Sequence, residues 1–252
     1  PGQLVQGLFG WQEYALARSG AMSAPSPVPD GVGIETAMSA LGLTGLTAYF
    51  GLLEVGRPKA GETVVVSGAA GATGSAVGQI ARIKGCRAVG IAGGLEKCAY
   101  LTGELGFDAA IDYKAEDVAA RLVETCPDGI DVFFDNVGGD ILDAALARLA
   151  LRGRIVICGA IARYNDTRQA PGPKNYLNLI IRRARMEGFL VLDHMAKAGA
   201  AAAELTGWMR EGKLKDRVDV QHGLENAPAA LARLFKGENR GKQLLKIAER
   251  AA

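Results

Sequence analysis

Thr63-Val64-Val65-Val66-Ser67 runs directly into Gly68-Ala69-Ala70-Gly71-Ala72-Thr73-Gly74-Ser75. The first part is a short apolar run of the length expected for a buried strand. The glycines lead into a helical stretch carrying Val77, Ile80, Ala81 and Ile83, which Gly85 closes. A strand that delivers a glycine turn to a helix N-terminus aims free backbone N–H groups and the positive end of the helix dipole at one spot. Glycine there lets a pyrophosphate approach the backbone. Counted from Ala69, the turn reads A-x-G-x-x-G, with alanine where the dinucleotide fingerprint has its first glycine. A second strand, Ala88 to Ala92, follows at crossover distance. The unit therefore predicts a dinucleotide site rather than a bare strand-to-helix turn.

From this unit onward the pattern predicts strands at 63–67, 87–92, 109–112, 131–135, 154–158 and 185–192. Helical stretches separate them at 75–84, 96–105, 117–125, 141–149 and 175–183, and another follows at 198–211. Near-continuous apolar strands fit a parallel sheet covered on both faces. The α/β alternation predicts a doubly wound, Rossmann-type sheet. Before it, residues 4–9 and 14–16 read as short strands and 24–29 as a proline-rich connector. Residues 34–55 read as a long helical stretch interrupted by Gly42 and Gly45. After Val218 the rhythm changes to strand, helix 228–236 and strand 243–247, expected to pack away from the sheet, against the first 40 residues.

Composition narrows the function classes. The 252 residues are 49% hydrophobic and carry a net charge of +2, so a core is available and nothing argues for nucleic acid or an anionic membrane. No apolar run approaches the ~18 residues of a membrane-spanning helix, and no signal-peptide pattern is visible. Cys86, Cys98, Cys126 and Cys158 stand singly and read as reduced, buried residues of a cytoplasmic protein. His194 and His222 lie far from any cysteine, so no zinc site is expected. The opening Pro1-Gly2-Gln3 reads as the tail of a turn in a fragment of a longer chain.

The second strand decides the cofactor. A preference for NAD needs a carboxylate at its tip for the ribose 2′-OH. Here the strand ends Gly90-Ile91-Ala92-Gly93-Gly94, with Glu96 and Lys97 behind it. An uncharged tip with a nearby cation predicts NADP(H), with Lys97 contacting the 2′-phosphate as a point charge. The competing reading makes Glu96 and Lys97 a solvated first helical turn. Three other strand ends carry polar or glycine-rich turns: Asp112-Tyr113-Lys114, Asp135-Asn136-Val137-Gly138-Gly139, and the run from Cys158 to Asn165. All would face the crevice beyond the carboxyl ends of the strands.

Several runs occur together: Gly45-Leu46-Thr47-Ala48-Tyr49-Phe50-Gly51-Leu52, the glycine turn, Phe134-Asp135-Asn136-Val137-Gly138-Gly139, Cys158-Gly159-Ala160-Ile161, Pro171-Gly172-Pro173 and Gly237-Glu238-Asn239-Arg240-Gly241-Lys242. With them the chain resembles the zinc-independent, NADP-dependent alkenal double-bond reductases of the medium-chain dehydrogenase/reductase superfamily, which include the prostaglandin and curcumin reductases. The resemblance implies a Rossmann domain at 43–215, with 1–42 and 216–252 belonging to a GroES-like, β-rich catalytic domain. It implies pyrophosphate contacts at Gly71, Ala72, Thr73 and Gly74, and 2′-phosphate and adenosine contacts at Lys97 and Tyr113. It further implies ribose, nicotinamide and other cofactor contacts at Asn136, Cys158, Gly159, Ala160, Ile161, Ala162, Arg163, Tyr164, Phe189, Leu190, Val191 and Asn239, with Thr47 beside the nicotinamide. Leu43 and Thr44 depart from the methionine and proline usual ahead of Gly45.

The implied reaction adds hydride from NADPH to the β-carbon of an enone or enal, and the resulting enolate takes a proton. Tyr164 is the candidate donor to the enolate oxygen; its other reading is a structural loop tyrosine. Tyr176 lines the substrate mouth or serves packing. A quinone reductase of the same superfamily and a non-catalytic NADPH-binding module are the competing functions. A homodimer through the sheet edges is expected from the resemblance alone.

Overall fold

Val64, Val65 and Val66 are fully buried at the centre of a six-stranded parallel sheet. The computed structural model describes residues 2–17, 24–165 and 172–249; Pro171 of the Pro171-Gly172-Pro173 run lies outside them. In chain order the elements are β1 Val5–Gln6, β2 Ser26–Pro27, α1 Ile34–Met38, α2 Leu43–Phe50, β3 Thr63–Ser67, α3 Ala72–Ile83, β4 Arg87–Ala92, α4 Leu95–Gly103, β5 Ala109–Asp112 and α5 Val118–Thr125. They continue with β6 Ile130–Asp135, α6 Gly139–Ala147, β7 Leu149–Ile157, α7 Asn178–Ile181, β8 Arg185–Gly188, α8 Ala198–Arg210, β9 Val218–His222, α9 Ala227–Lys236 and β10 Lys242–Lys246.

The sheet order is β5-β4-β3-β6-β7-β8, so the order reverses between β3 and β6 and opens a crevice beyond their carboxyl ends. Alternation along the central strands feeds two cores. Val64, Val66, Val132 and Phe134 pack with α2, α3 and α8 on one face; Val65, Phe133 and Ile155 pack with α5 and α6 on the other. Burial on both faces explains why these strands read as unbroken apolar runs.

The structure departs from the sequence reading where a partner or a glycine decides. Residues 14–16 form no strand: Tyr14 and Leu16 are exposed and pair with nothing among the described residues. Val5–Gln6 instead pairs antiparallel with Ser26–Pro27, inside the expected connector. The expected helix 34–55 divides in three. Gly42 caps α2 in an extended conformation, and a π-helical turn, Gly51–Gly56, ends at Arg57 in the left-handed region (φ 48°). A Cβ at Gly45 would lie 1.8 Å from the Ala40 carbonyl oxygen, so the break depends on that glycine. β7 begins earlier than expected, because a bulge with Arg152 at φ 61° separates Leu149 from Arg154. β8 stops at Gly188, where its partner β7 stops at Ile157. The helix expected at 175–183 is the single turn α7.

The C-terminal segment packs in two directions. β9 and β10 form a parallel pair bridged by α9, and Gly241 N–H donates to Ala70 O at 3.3 Å, joining the segment to the glycine turn. Trp11 and Met38 meet Leu231 and Leu244 around one pocket, which is the expected contact with the first 40 residues.

Candidate cofactor cleft and catalytic loop

Three glycines shape the turn after β3. Gly68 takes φ +60°, which makes it the tight-turn glycine, one place before the alanine from which the motif was counted. Gly71 caps α3 and donates to Gly68 O at 3.0 Å. A Cβ at Gly74 would lie 2.4 Å from Gly68 O and 2.8 Å from Ala69 Cα, so only glycine lets the helix pack this close to the strand. The N–H groups of Ala72, Thr73 and Gly74, in the first turn of α3, have no acceptor within the helix. All three residues line a cleft of about 570 Å³.

One end of this cleft lies at the tip of β4. Gly93 packs so closely that an added Cβ would come 2.9 Å from both the Tyr113 ring and Lys114 Cε. A carboxylate-bearing residue at this tip would need the space Tyr113 fills. Asp112, buried at the end of β5, organises the corner: Oδ1 accepts from Gly94 N–H at 2.7 Å and from Lys114 N–H at 3.0 Å. Lys97 Nζ donates to Gly237 O at 2.6 Å. Burial lowers the Lys97 pKa, and the neighbouring cations Lys114 and Arg240 add to the effect.

The middle of the cleft rests on a buried polar network. Ser67 Oγ donates to Asp135 Oδ1 at 2.7 Å and accepts from Asn136 N–H at 2.8 Å. The same Asp135 oxygen accepts from Val137 and Gly138 N–H, each at 3.0 Å. Asn136 Nδ2 donates to Ser67 O at 2.7 Å, which leaves the amide oxygen as the group that can accept from a ligand hydroxyl.

The loop after β7 is laced onto that network. Cys158 and Gly159 N–H both donate to Asp135 O, Ile161 N–H to Asn136 O and Ala162 N–H to Val137 O. Tyr164 is exposed, and its hydroxyl oxygen accepts from Ala160 N–H at 3.2 Å. Burial, with Asp135 nearby, pushes the Cys158 thiol up to about 12, so this group facing the cleft stays protonated.

Of the residues named from the sequence, Gly71 to Gly74, Lys97, Tyr113, Asn136, Cys158, Gly159, Ile161, Ala162, Tyr164 and Asn239 line this one cleft. Thr47, Ala160, Arg163, Phe189, Leu190 and Val191 do not line it. The Thr47 hydroxyl is spent on Leu43 O at 2.7 Å, Phe189 packs edge-on against Phe134, and Val191 is buried in the core. Thr44 stands at the cleft in place of Thr47. The sequence reading also missed Leu234 to Gly237 and Gly241 to Gln243, which close the cleft from the C-terminal segment. The glycine-rich run around Asn239 was their only signal. Asn239 itself is buried and donates to Gly241 O at 2.8 Å, shaping the strap that crosses Ala70. Among the described residues, no group of three or more His, Cys, Asp or Glu is placed to hold a metal ion.

The cleft fits a dinucleotide: first-turn N–H groups with no acceptor within their helix, glycines where backbone approach is closest, and cations near the strand tip where NAD binders carry an acid. The sequence profile of the zinc-binding dehydrogenases matches residues 72–205, more than half of the chain. The chain belongs to that family. It is 49% identical over 98% of its length, and 74% of the relative's, to a putative NADP-dependent oxidoreductase, YfmJ, of Bacillus subtilis. It is 44% identical, over 98% of its length and 71% of the relative's, to a 2-alkenal reductase (NADP+-dependent) of Nicotiana tabacum. The crystal structure of CurA from Vibrio vulnificus in complex with NADPH superposes with a TM-score of 0.91 at 41% identity, covering 98% of this chain and 74% of that one. The likeness spans the sheet, the cleft and the C-terminal segment of this member of the family.

Proposed function

We propose that this chain is an NADP(H)-dependent reductase of the carbon–carbon double bond of α,β-unsaturated carbonyl compounds. The glycine tip of β4, packed against Tyr113 and ringed by Lys97 and Lys114, carries the cofactor assignment. The likeness to a 2-alkenal reductase supports the substrate class. Bound NADPH supplies the hydride that reaches the β-carbon. The first-turn N–H groups of α3 would hold the pyrophosphate, Lys97 and Tyr113 would hold the phosphorylated adenosine, and Asn136 and Asn239 would hold the ribose side. Tyr164 donates to the oxygen on which enolate charge develops. That hydroxyl accepts from Ala160 N–H and donates to no acceptor among the described residues, so its proton is polarised for donation.

The domain division at 43–215 is supported by a hydrogen bond between its two flanks, from Ser39 Oγ to Asp216 Oδ2, where the chain enters and leaves the nucleotide unit. The unpaired cysteines support a cytoplasmic setting. No helix of the described residues is long and apolar enough to cross a membrane. A homodimer is supported by β8, an exposed sheet edge flanked by exposed Leu177, Ile180, Ile181 and Leu190.

The deciding assay follows loss of NADPH absorbance with a 2-alkenal, curcumin, a simple quinone and a saturated aldehyde. Oxidation with the alkenal or curcumin, with a saturated carbonyl as product, is the expected result. Turnover of the quinone alone would replace the reading with quinone reduction. NADPH binding without turnover of any acceptor would leave a binding module.

A further inference from the structure

Cations from three separate segments gather at the start of α4, just past the tip of β4: Lys114 Cε lies beside Gly93, and Arg240 reaches Glu96 next to Lys97. Lys97 comes from the first turn of α4, Lys114 follows β5, and Arg240 precedes β10. Two of them are engaged internally. Lys97 holds Gly237 O, and Arg240 Nη2 donates to Glu96 Oε2 at 2.6 Å. The Arg240 backbone N–H donates to Asp219 Oδ2 at 3.2 Å, and that carboxylate is also occupied by Arg233. The Arg240 guanidinium is therefore held by Glu96, the residue immediately before Lys97. The Glu96 side chain is 72% exposed and that of Arg240 49%, so their ion pair lies in solvent and contributes little to stability.

We infer that Arg240 is a second specificity determinant for the 2′-phosphate of NADP(H), and that the Glu96 carboxylate holds it as a displaceable stand-in for that phosphate. The inference rests on the NADP(H) reading above. A guanidinium fork matches a phosphate with two parallel hydrogen bonds, which an ammonium cannot do. A phosphate dianion also outcompetes one exposed carboxylate for the cation. Shared between Lys97 and Arg240, the 2′-phosphate joins the nucleotide unit to the C-terminal segment, so recognition of the phosphate and closure of the cleft become one event. Like-charge crowding accompanies this arrangement: beyond the effect of burial, Lys114 and Arg240 both depress Lys97.

Calorimetric titration of the full chain with NADP+ and with NAD+ tests the inference without any turnover, because the two ligands differ only in the 2′-phosphate. Arg240→Ala is expected to weaken NADP+ binding about tenfold, one charge-assisted contact, and to leave NAD+ binding unchanged. Glu96→Gln is expected to tighten NADP+ about threefold with no change for NAD+. Thermal melting verifies that both surface variants keep the fold. Equal losses for the two nucleotides in Arg240→Ala, or no loss for NADP+, overturn the role of Arg240. Unchanged NADP+ affinity in Glu96→Gln overturns the stand-in. If the unaltered protein binds both nucleotides equally, the cofactor reading falls as well; a preference that survives Arg240→Ala in full overturns this inference alone.

Discussion

Ser67 Oγ and Asp135 Oδ1 lie 2.7 Å apart in a hydrogen bond that joins the ends of β3 and β6, the two strands between which the sheet reverses its order. The pair holds the floor of the cleft. Asp135 is buried and accepts from Ser67, Val137 and Gly138 through one oxygen, while Oδ2 has no hydrogen-bond partner among the described residues. Asp135→Ala strands three donors in a dry site. It should cost about 3 kcal/mol, a fall in Tm of roughly 6–12 °C by calorimetry. Asp135→Asn, which keeps an acceptor, should cost less; an equal loss would show that charge, not hydrogen bonding, holds the turn.

Gly93 should act as a cofactor selector. A carboxylate introduced by Gly93→Asp displaces Tyr113, whose ring lies 2.9 Å from where the new Cβ would stand, and repels a 2′-phosphate. The ratio of kcat/KM for NADPH over NADH should fall at least about tenfold. Steady-state kinetics with both cofactors measures the ratio, and an unchanged value would contradict the placement of the phosphate at this tip.

Tyr164→Phe removes the hydroxyl that accepts from Ala160 N–H and lines the cleft. As the enolate donor, it should lower kcat on the order of a hundredfold while NADPH affinity stays nearly constant. Unchanged kcat in stopped-flow turnover would return this residue to a structural loop role.

Acid stability should carry the signature of Glu62. Burial raises its carboxyl, but the hydrogen bonds from Arg154 and from Lys59 N–H outweigh that, so its pKa lies below the ordinary 4.5. A depressed carboxylate adds stability above its unfolded pKa and loses it as pH falls through the folded one. Glu62→Gln should therefore cost about 2 kcal/mol at neutral pH, and the gap should close as pH drops below 4.5. Urea unfolding across this range checks it; a gap that widens in acid would reverse the sign.

Ile180→Glu places a charge on the apolar flank of the exposed β8 edge. Sedimentation should show a homodimer for the unaltered chain and a monomer for the variant, with little change in melting because Ile180 is exposed in the single chain. A variant that stays dimeric would place the interface elsewhere.

Legibility in the sequence followed the range of the interactions. The Val64 to Val66 strand and the glycines at 68, 71 and 74 are local: apolar continuity, positive φ and helix initiation act within a few residues, so the Rossmann unit was readable. Asn136 and Tyr113 were legible as strand-end residues next to that unit, and Lys97 as the cation that follows the tip of the second strand. Tyr14 to Leu16 was misread because a strand exists only with a partner, and none pairs with it among the described residues. Phe189 and Val191 were expected at the cofactor from the resemblance alone, and their side chains pack on Phe134 and in the core.

The alternating architecture, the glycine turn after β3 and the uncharged tip of the second strand were legible in the chain, because each depends on sequence neighbours. Long-range packing set the rest: Gly237 and Arg240 reach back to α4, Thr44 rather than Thr47 meets the cleft, and Ser67 and Asp135 share a hydrogen bond across 68 residues. Those contacts form between segments that no periodicity relates; they appear only once burial of the two apolar faces has brought the strand ends together.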